Sequence, residues 1–194
     1  PFLANLEQFI LADLGSHILD VARFLFGEVS SLYCRTRRVH ADIKGEDVAT
    51  GFLDANDGRT AVICAMAYAG TPLERECFPQ TLMFIEGPRG SLELTPDYCI
   101  RLATAAGVQT ARHAPRNYSW ADPAYAVVHA SIVDCNENLR DALRGKRSAE
   151  TTAEDNLRTV GLVFGAYESA RTRREWRPND SDLQLQCQSR AGHF

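Results

Sequence analysis

The pair Asp57-Gly58 constrains the fold more than any other local feature of the chain. It stands between Thr50-Gly51-Phe52-Leu53-Asp54 and Thr60-Ala61-Val62-Ile63-Cys64-Ala65-Met66. Glycine accepts the left-handed backbone of a tight connection, and the apolar runs on either side supply strands for it to join. An antiparallel hairpin is predicted. A second is predicted where Gly87-Pro88-Arg89-Gly90 separates residues 81–85 from residues 91–94, and residues 99–102 and 108–111 read as further strands joined near Gly107. Strands joined by turns this short pair antiparallel, so the stretch from about 29 to 113 is expected to be antiparallel β-structure.

Helical patterns flank that block. Residues 11–26 read as one helix, stopped by Gly27. Tyr125, Val128, Ile132, Cys135, Leu139 and Leu143 recur at helical spacing between Pro123 and Gly145. A further helix is expected from Thr152 to Arg174 through Leu157, Val160, Phe164 and Tyr167. Its acids Glu154 and Asp155 come early and its arginines Arg171, Arg173 and Arg174 late, which suits the helix dipole. The fold class is therefore α+β: a mostly antiparallel open β-sheet with helices packed on one face. Its other face is left for solvent, a second copy or a further domain, and a homodimer or higher oligomer through that face is expected. Residues 1–178 read as the domain and 179–194 as a polar tail.

Charge and cysteine usage exclude several functions. A net charge of −4 gives no support for binding nucleic acid or an anionic membrane. No apolar run approaches the roughly 18 residues of a membrane span. The start, Pro1-Phe2-Leu3-Ala4-Asn5, has neither the pattern of a signal peptide nor an initiator methionine, so a processed or excised piece is expected. Cys34, Cys64, Cys77, Cys99, Cys135 and Cys187 never fall as C-x-x-C, which argues against zinc and redox motifs. Reduced thiols in a cytoplasmic protein are the expectation.

The chemistry-bearing stretch is Asp13-Leu14-Gly15-Ser16-His17-Ile18-Leu19-Asp20. Helical spacing puts Asp13, His17 and Asp20 on one face, bordering an apolar stripe of Leu14, Ile18, Val21, Ala22 and Leu25. Ser16 and Arg23 are expected to face open water. A histidine beside a carboxylate at the rim of a core can move protons near neutral pH, although a satisfied helix histidine fits the same pattern. Asp13 can orient that imidazole, bind a hydroxyl, or serve as a first-turn carboxylate. Asp20 fits a substrate contact or an ion pair with Arg23 or another arginine. Gly15 costs roughly 1 kcal/mol against alanine in a helix, so it implies close approach of a backbone, a cofactor or a packed side chain.

These residues together resemble the Gfo/Idh/MocA oxidoreductase family. The resemblance rests on D-x-G-x-H-x-x-D at 13–20 and its continuation Val21-Ala22-Arg23-Phe24-Leu25-Phe26-Gly27. It extends to Ile85-Glu86-Gly87 with Gly90-Ser91-Leu92, and to Ala166-Tyr167-Glu168-Ser169-Ala170-Arg171. The order and spacing are similar to the family's C-terminal substrate and oligomerisation domain, of glyceraldehyde-3-phosphate-dehydrogenase-like fold. That resemblance implies NAD or NADP, bound mainly by an N-terminal Rossmann domain absent here, since the chain has no G-x-G-x-x-G and no Glu-Lys-Pro. It implies His17 and Asp13 as catalytic, Asp20 and Gly15 as substrate-binding, no metal, and hydride transfer involving a sugar, polyol or related hydroxy compound. The chain alone would then be inactive. The alternative is a non-catalytic oligomerisation or ligand-binding module.

Other candidates carry less. Asp13, His17 and Asp20 suit a metal by residue type alone. Arg35, Arg37 and Arg38 read as solvated surface, and His129 as packing. Cys34 is a nucleophile candidate with no support from its flanks.

Overall fold

Gly58 takes φ of +65° and donates its N–H to the Ala55 carbonyl, so the first hairpin turns where its glycine stands. One Asp57 carboxylate oxygen accepts from the Arg59 and Thr60 amides at 2.9 Å and the other from the Thr60 hydroxyl at 2.7 Å, which fixes the connection. These features come from a computed structural model that describes residues 2–68 and 81–178. The chain divides into two compact units, Pro1–Tyr68 with Thr151–Phe194, and Ala69–Glu150.

In the first unit, strands β1 (Val29–Arg37), β2 (Val48–Ala55) and β3 (Ala61–Ala67) form an antiparallel sheet in that order. Helix α1 (Ser16–Phe26) and the late helix of this unit, Ala153–Thr172, cover one face. The core between them is built from Leu11, Leu19, Leu32, Leu53, Met66 and Leu162, with Ala49 and Ala166 in the tighter places. On the opposite face Tyr33, Phe52 and Ile63 stand in register across the three strands, with Phe52 51% and Ile63 70% exposed. The open face expected from the sequence is therefore present in this unit. Strand β1 does not end in a bare edge, because Trp176 and Leu32 exchange amide hydrogen bonds of 2.8 Å. Trp176 lies so close over the late helix that a Cβ on Gly165 would fall 2.4 Å from its ring.

In the second unit, β4 (Met83–Gly87), β5 (Gly90–Thr95), β6 (Cys99–Thr104) and β7 (Gly107–Arg112) form a four-stranded antiparallel meander. Helix α2 spans Ala126–Leu143 and follows a 3₁₀ turn at Pro123–Tyr125. The helix Ala153–Thr172 is α3; the Thr152 hydroxyl caps it by accepting from the Asp155 amide. The α+β class and the antiparallel pairing agree with the sequence reading. The tail at 179–194, Cys77 and Cys187 lie outside the described residues. Among the described residues no helix is long and apolar enough to cross a membrane.

The first helix departs from expectation in two respects. Residues Leu11–Gly15 form a π turn, in which the Gly15 amide reaches back to the Ile10 carbonyl at 2.8 Å, and the regular α-helix begins only at Ser16. The wider turn shifts the buried face. Leu11, Gly15, Leu19, Ala22 and Arg23 point inward, whereas Val21 and Leu25 of the expected stripe are exposed and Phe24 is 85% exposed. Arg23, expected in open water, is buried at 7% because carboxylates and a hydroxyl surround its guanidinium.

Candidate active site

The candidate site is the outward face of α1, and it exists because both ends of that helix are tied to other elements. No side chain at Ile10 caps the π turn. Glu46, from the β1–β2 loop, takes that role from a distance. Its Oε1 accepts from the Phe9 amide at 3.1 Å and the Leu11 amide at 3.2 Å, and its carbonyl accepts from Ile10. The Tyr167 hydroxyl, from α3, donates to the same Oε1 at 2.6 Å and accepts from the Ala12 amide at 3.2 Å. Amides without partners at a helix start carry partial positive charge, so a carboxylate is well placed there. Burial, then the Glu46 carboxylate, push the Tyr167 phenol well above its ordinary range, and it stays a neutral donor.

The other end is held by Arg23. Its guanidinium donates to Glu28 at 2.8 Å, to Asp155 at 2.9 Å and to the Thr159 hydroxyl at 2.7 Å. Thr159 in turn donates to Asp20 at 2.6 Å, and Arg23 stands 3.7 Å from the same carboxylate oxygen. The hydrogen bond from Arg23, then that from Arg158, hold the Glu28 carboxyl below its ordinary range against burial. Asp20 thus faces α3 and its carboxylate is committed to packing one helix on another. Gly15 is also accounted for by packing. A Cβ there would stand 3.2 Å from the Met66 Sδ and 3.3 Å from Leu11, so its absence lets the π turn lie close on β3.

Asp13 and His17 are placed differently. Both are exposed. Neither side chain makes a hydrogen bond or ion pair with any described residue, and Asp13 meets a neighbour only through its main chain, where Ser16 Oγ donates to its carbonyl at 2.7 Å. Asp13 and His17 are thus both exposed, whereas Gly15 is buried and the half-exposed Asp20 carboxylate accepts from Thr159 on α3. Both exposed residues stand on a segment tied to other elements from behind.

The remaining candidates fall away. Cys34 is buried in the core, and burial raises its thiol to about 11, so it offers no thiolate to a substrate. Arg35, Arg37 and Arg38 are exposed, with Arg35 resting 3.2 Å from the Tyr33 hydroxyl. His129 is stacked between Trp120, at 5.5 Å, and Tyr125, at 6.4 Å, which agrees with packing. Among the described residues no group of three or more His, Cys, Asp or Glu can hold a metal ion. Every strand pairing described is antiparallel, and no glycine-rich turn leads from a strand into a helix, so these residues form no dinucleotide cradle.

Sequence reasoning missed Glu46, Thr159 and the second role of Tyr167. Tyr167 was legible as a residue at helical spacing and as part of the Ala166–Arg171 stretch, but not as a partner of Glu46. Nothing local marks Glu46, whose partners lie 35 or more positions away in the chain.

Residues 3–93 match the profile described as the GFO/IDH/MocA C-terminal domain. The chain belongs to the GFO/IDH/MocA family. It is 42% identical over 172 residues to a D-apiose dehydrogenase of Paraburkholderia graminis, covering 88% of this chain and 45% of that protein. A D-apiose dehydrogenase of Rhizobium rhizogenes is 40% identical over 170 residues, covering 88% and 49%. The GFO/IDH/MocA chain described here thus spans about half the length of the curated relatives it matches. An oxidoreductase from Agrobacterium radiobacter, solved with NAD+, L-tartaric acid and magnesium, superposes with a TM-score of 0.84 at 39% identity, covering 91% of this chain and 51% of that one. The WlbA dehydrogenase from Bordetella pertussis, solved with NADH and UDP-GlcNAcA, superposes at 0.60 with 21% identity, covering 90% and 46%, and shows the fold alone.

Proposed function

We propose that this chain is the substrate-binding part of an NAD(P)-dependent dehydrogenase acting on a sugar or related polyol, with D-apiose the first candidate from its relatives. The observation that carries the reading is the pairing of an exposed, unengaged Asp13 and His17 on a helix anchored at both ends. His17 takes the proton of the substrate hydroxyl whose carbon is oxidised, a task suited to an imidazole near neutral pH. Asp13 orients that imidazole or accepts a neighbouring hydroxyl. Asp20 and Gly15 are assigned to holding the helix rather than to touching substrate. A nicotinamide supplies the hydride acceptor, and its dinucleotide is assigned mainly to a further domain because the described residues form no cradle for it.

The outer face carrying Tyr33, Phe52 and Ile63 is assigned to a second copy of the chain, and the whole to the cytoplasm. Sedimentation equilibrium should then show a dimer or larger species that Phe52→Asp and Ile63→Asp weaken.

The deciding experiment follows the appearance of reduced nicotinamide in the full-length protein with D-apiose and a panel of pentoses and polyols. Replacing His17 by Asn should lower kcat by about 10²–10⁴-fold, the range for a lost general base. The isolated chain should show no turnover. Undiminished turnover in the His17 variant, or turnover by the isolated chain, would overturn the reading.

A further inference from the structure

We propose that Tyr167 and Glu46 form a positioning pair that holds the π turn Leu11–Gly15 in place and so sets where Asp13 stands relative to His17. The inference rests on the dehydrogenase reading and assigns that site a second pair of residues, neither of which touches substrate.

A π turn is rare because its hydrogen bonds reach one residue too far and its backbone is less well packed than an α-helix. Left alone, Leu11–Gly15 would gain by tightening into α-helical register. That change would rotate the chain entering the turn by about 100° around the axis, one residue's share of an α-helical turn, and would carry Asp13, in the middle of the turn, part of that way relative to His17. Something must hold the wider form. Core packing of Leu11 and Leu19 fixes how the segment lies on the sheet, and the Arg23 cluster fixes α1 from Asp20 onward, but neither bonds the amides of the turn.

The first two amides of the turn, Leu11 and Ala12, are bonded by the Tyr167–Glu46 pair. Glu46 Oε1 accepts from Phe9 and Leu11, and Tyr167 completes the set by accepting from Ala12 while donating to the carboxylate. Leu11 and Ala12 immediately precede Asp13 and Phe9 lies four residues before it, so the pair reads out the path of the chain into the site. A carboxylate oxygen can take several donors, whereas a phenylalanine ring at 167 would leave both the Ala12 amide and Glu46 short of a partner. The glutamate comes from a loop and the tyrosine from a helix, 121 positions apart. The turn therefore holds its shape only when sheet, loop and α3 are all assembled.

The test uses the full-length protein with Tyr167→Phe, Glu46→Gln and Glu46→Ala, and two readouts. Amide hydrogen exchange should accelerate about tenfold or more at Ala12–Gly15 in Tyr167→Phe, the factor expected for one lost hydrogen bond, while residues 19–26 stay unchanged. Sugar oxidation in the same variant should lose about tenfold in kcat with KM for the nicotinamide within about twofold, the pattern of a group misplaced for the chemical step. Glu46→Gln keeps an accepting oxygen and should retain most of the kcat that Glu46→Ala loses. Unchanged exchange in the turn, or a loosened turn with undiminished kcat, would overturn the proposal. So would a loss of kcat that only tracks a loss of folded protein. If the unaltered protein oxidises no sugar, the dehydrogenase reading falls, and hydrogen exchange alone upholds or overturns the pair.

Discussion

Replacing Arg23 by Met keeps most of the apolar stem but removes the guanidinium and the charge that three carboxylates share. Asp20, Glu28 and Asp155 would face one another with Arg158, 3.0 Å from Glu28, as the remaining cation. Stripping one partner from a buried ion pair costs about 3–5 kcal/mol. Here the arginine side chain is 5% exposed but its partners are 42–46% exposed, so water can reclaim the carboxylates. The loss therefore falls at or below the lower end, about 2–3 kcal/mol near neutral pH. For a chain of this length that corresponds to a fall in Tm of about 4–12 °C, taking about 2–4 °C per kcal/mol.

The pH dependence separates this account from simple loss of packing. Arg23 holds the Glu28 carboxyl below its ordinary range in the folded state. A depressed folded pKa stabilises the fold above the unfolded value, about 4.3 for a glutamate, and that stabilisation disappears as pH falls through the folded value. In Arg23→Met only Arg158 still lowers Glu28, the depression shrinks, and the crowded carboxylates gain from protonation. The difference between wild type and variant should be greatest at pH 6–7 and shrink below about pH 4. Urea unfolding followed by circular dichroism at both ends of that range measures it. An equal difference at pH 3.5 and pH 7, or a loss under about 1 kcal/mol at neutrality, would refute the electrostatic argument.

Gly15→Ala should leave stability within about 1 kcal/mol of wild type, because the alanine's helical preference offsets a few tenths of an ångström of movement by the flexible Met66. Gly15→Val, with two further methyl groups in the same gap, should cost about 2 kcal/mol or more in denaturant unfolding. Leu162→Ala, in the core between α3 and the sheet, should cost about 2–5 kcal/mol by the same measurement. Cys135 is exposed and should react with a thiol reagent at pH 8, whereas Cys34 and Cys64, both raised to about 11 by burial, should react only on unfolding.

Most of the architecture was legible because local chemistry dictated it. Asp57-Gly58 and Gly90 turn the strands where those residues stand, and Thr152 with Asp155 starts α3 where a capping residue is followed by an acid. The site was half legible. Asp13 and His17 are both exposed, but the spacing misplaced Arg23, Val21 and Leu25, while Leu14, Ile18 and Ala22 do meet the core. Periodicity assumes a constant turn, and the π turn at Leu11–Gly15 breaks that assumption one residue before the α-helix begins. A buried arginine cannot be foreseen from its own helix either. Its partners Asp155 and Thr159 lie more than 130 positions away and become neighbours only when α3 packs on α1.

The same packing explains why the D-x-G-x-H-x-x-D stretch needs four polar or small positions when only two face outward. A helix laid on a sheet by apolar contacts alone is free to slide and rotate by fractions of a turn, since such contacts have little direction. Hydrogen bonds do have direction. Asp20 bonded to Thr159 fixes the rotation of α1 about its axis, and Gly15 against Met66 fixes its height above β3. With both settled, Asp13 and His17 stand exposed with no side-chain bond to any described residue, which suits the ligand contact proposed for them. Asp20→Asn should therefore be milder than His17→Asn in turnover, yet harsher in stability, because the amide oxygen still accepts from Thr159 but the neutral side chain no longer balances Arg23. If Asp20→Asn abolished turnover without lowering Tm, Asp20 would belong with the substrate and the division of labour along this helix would be wrong.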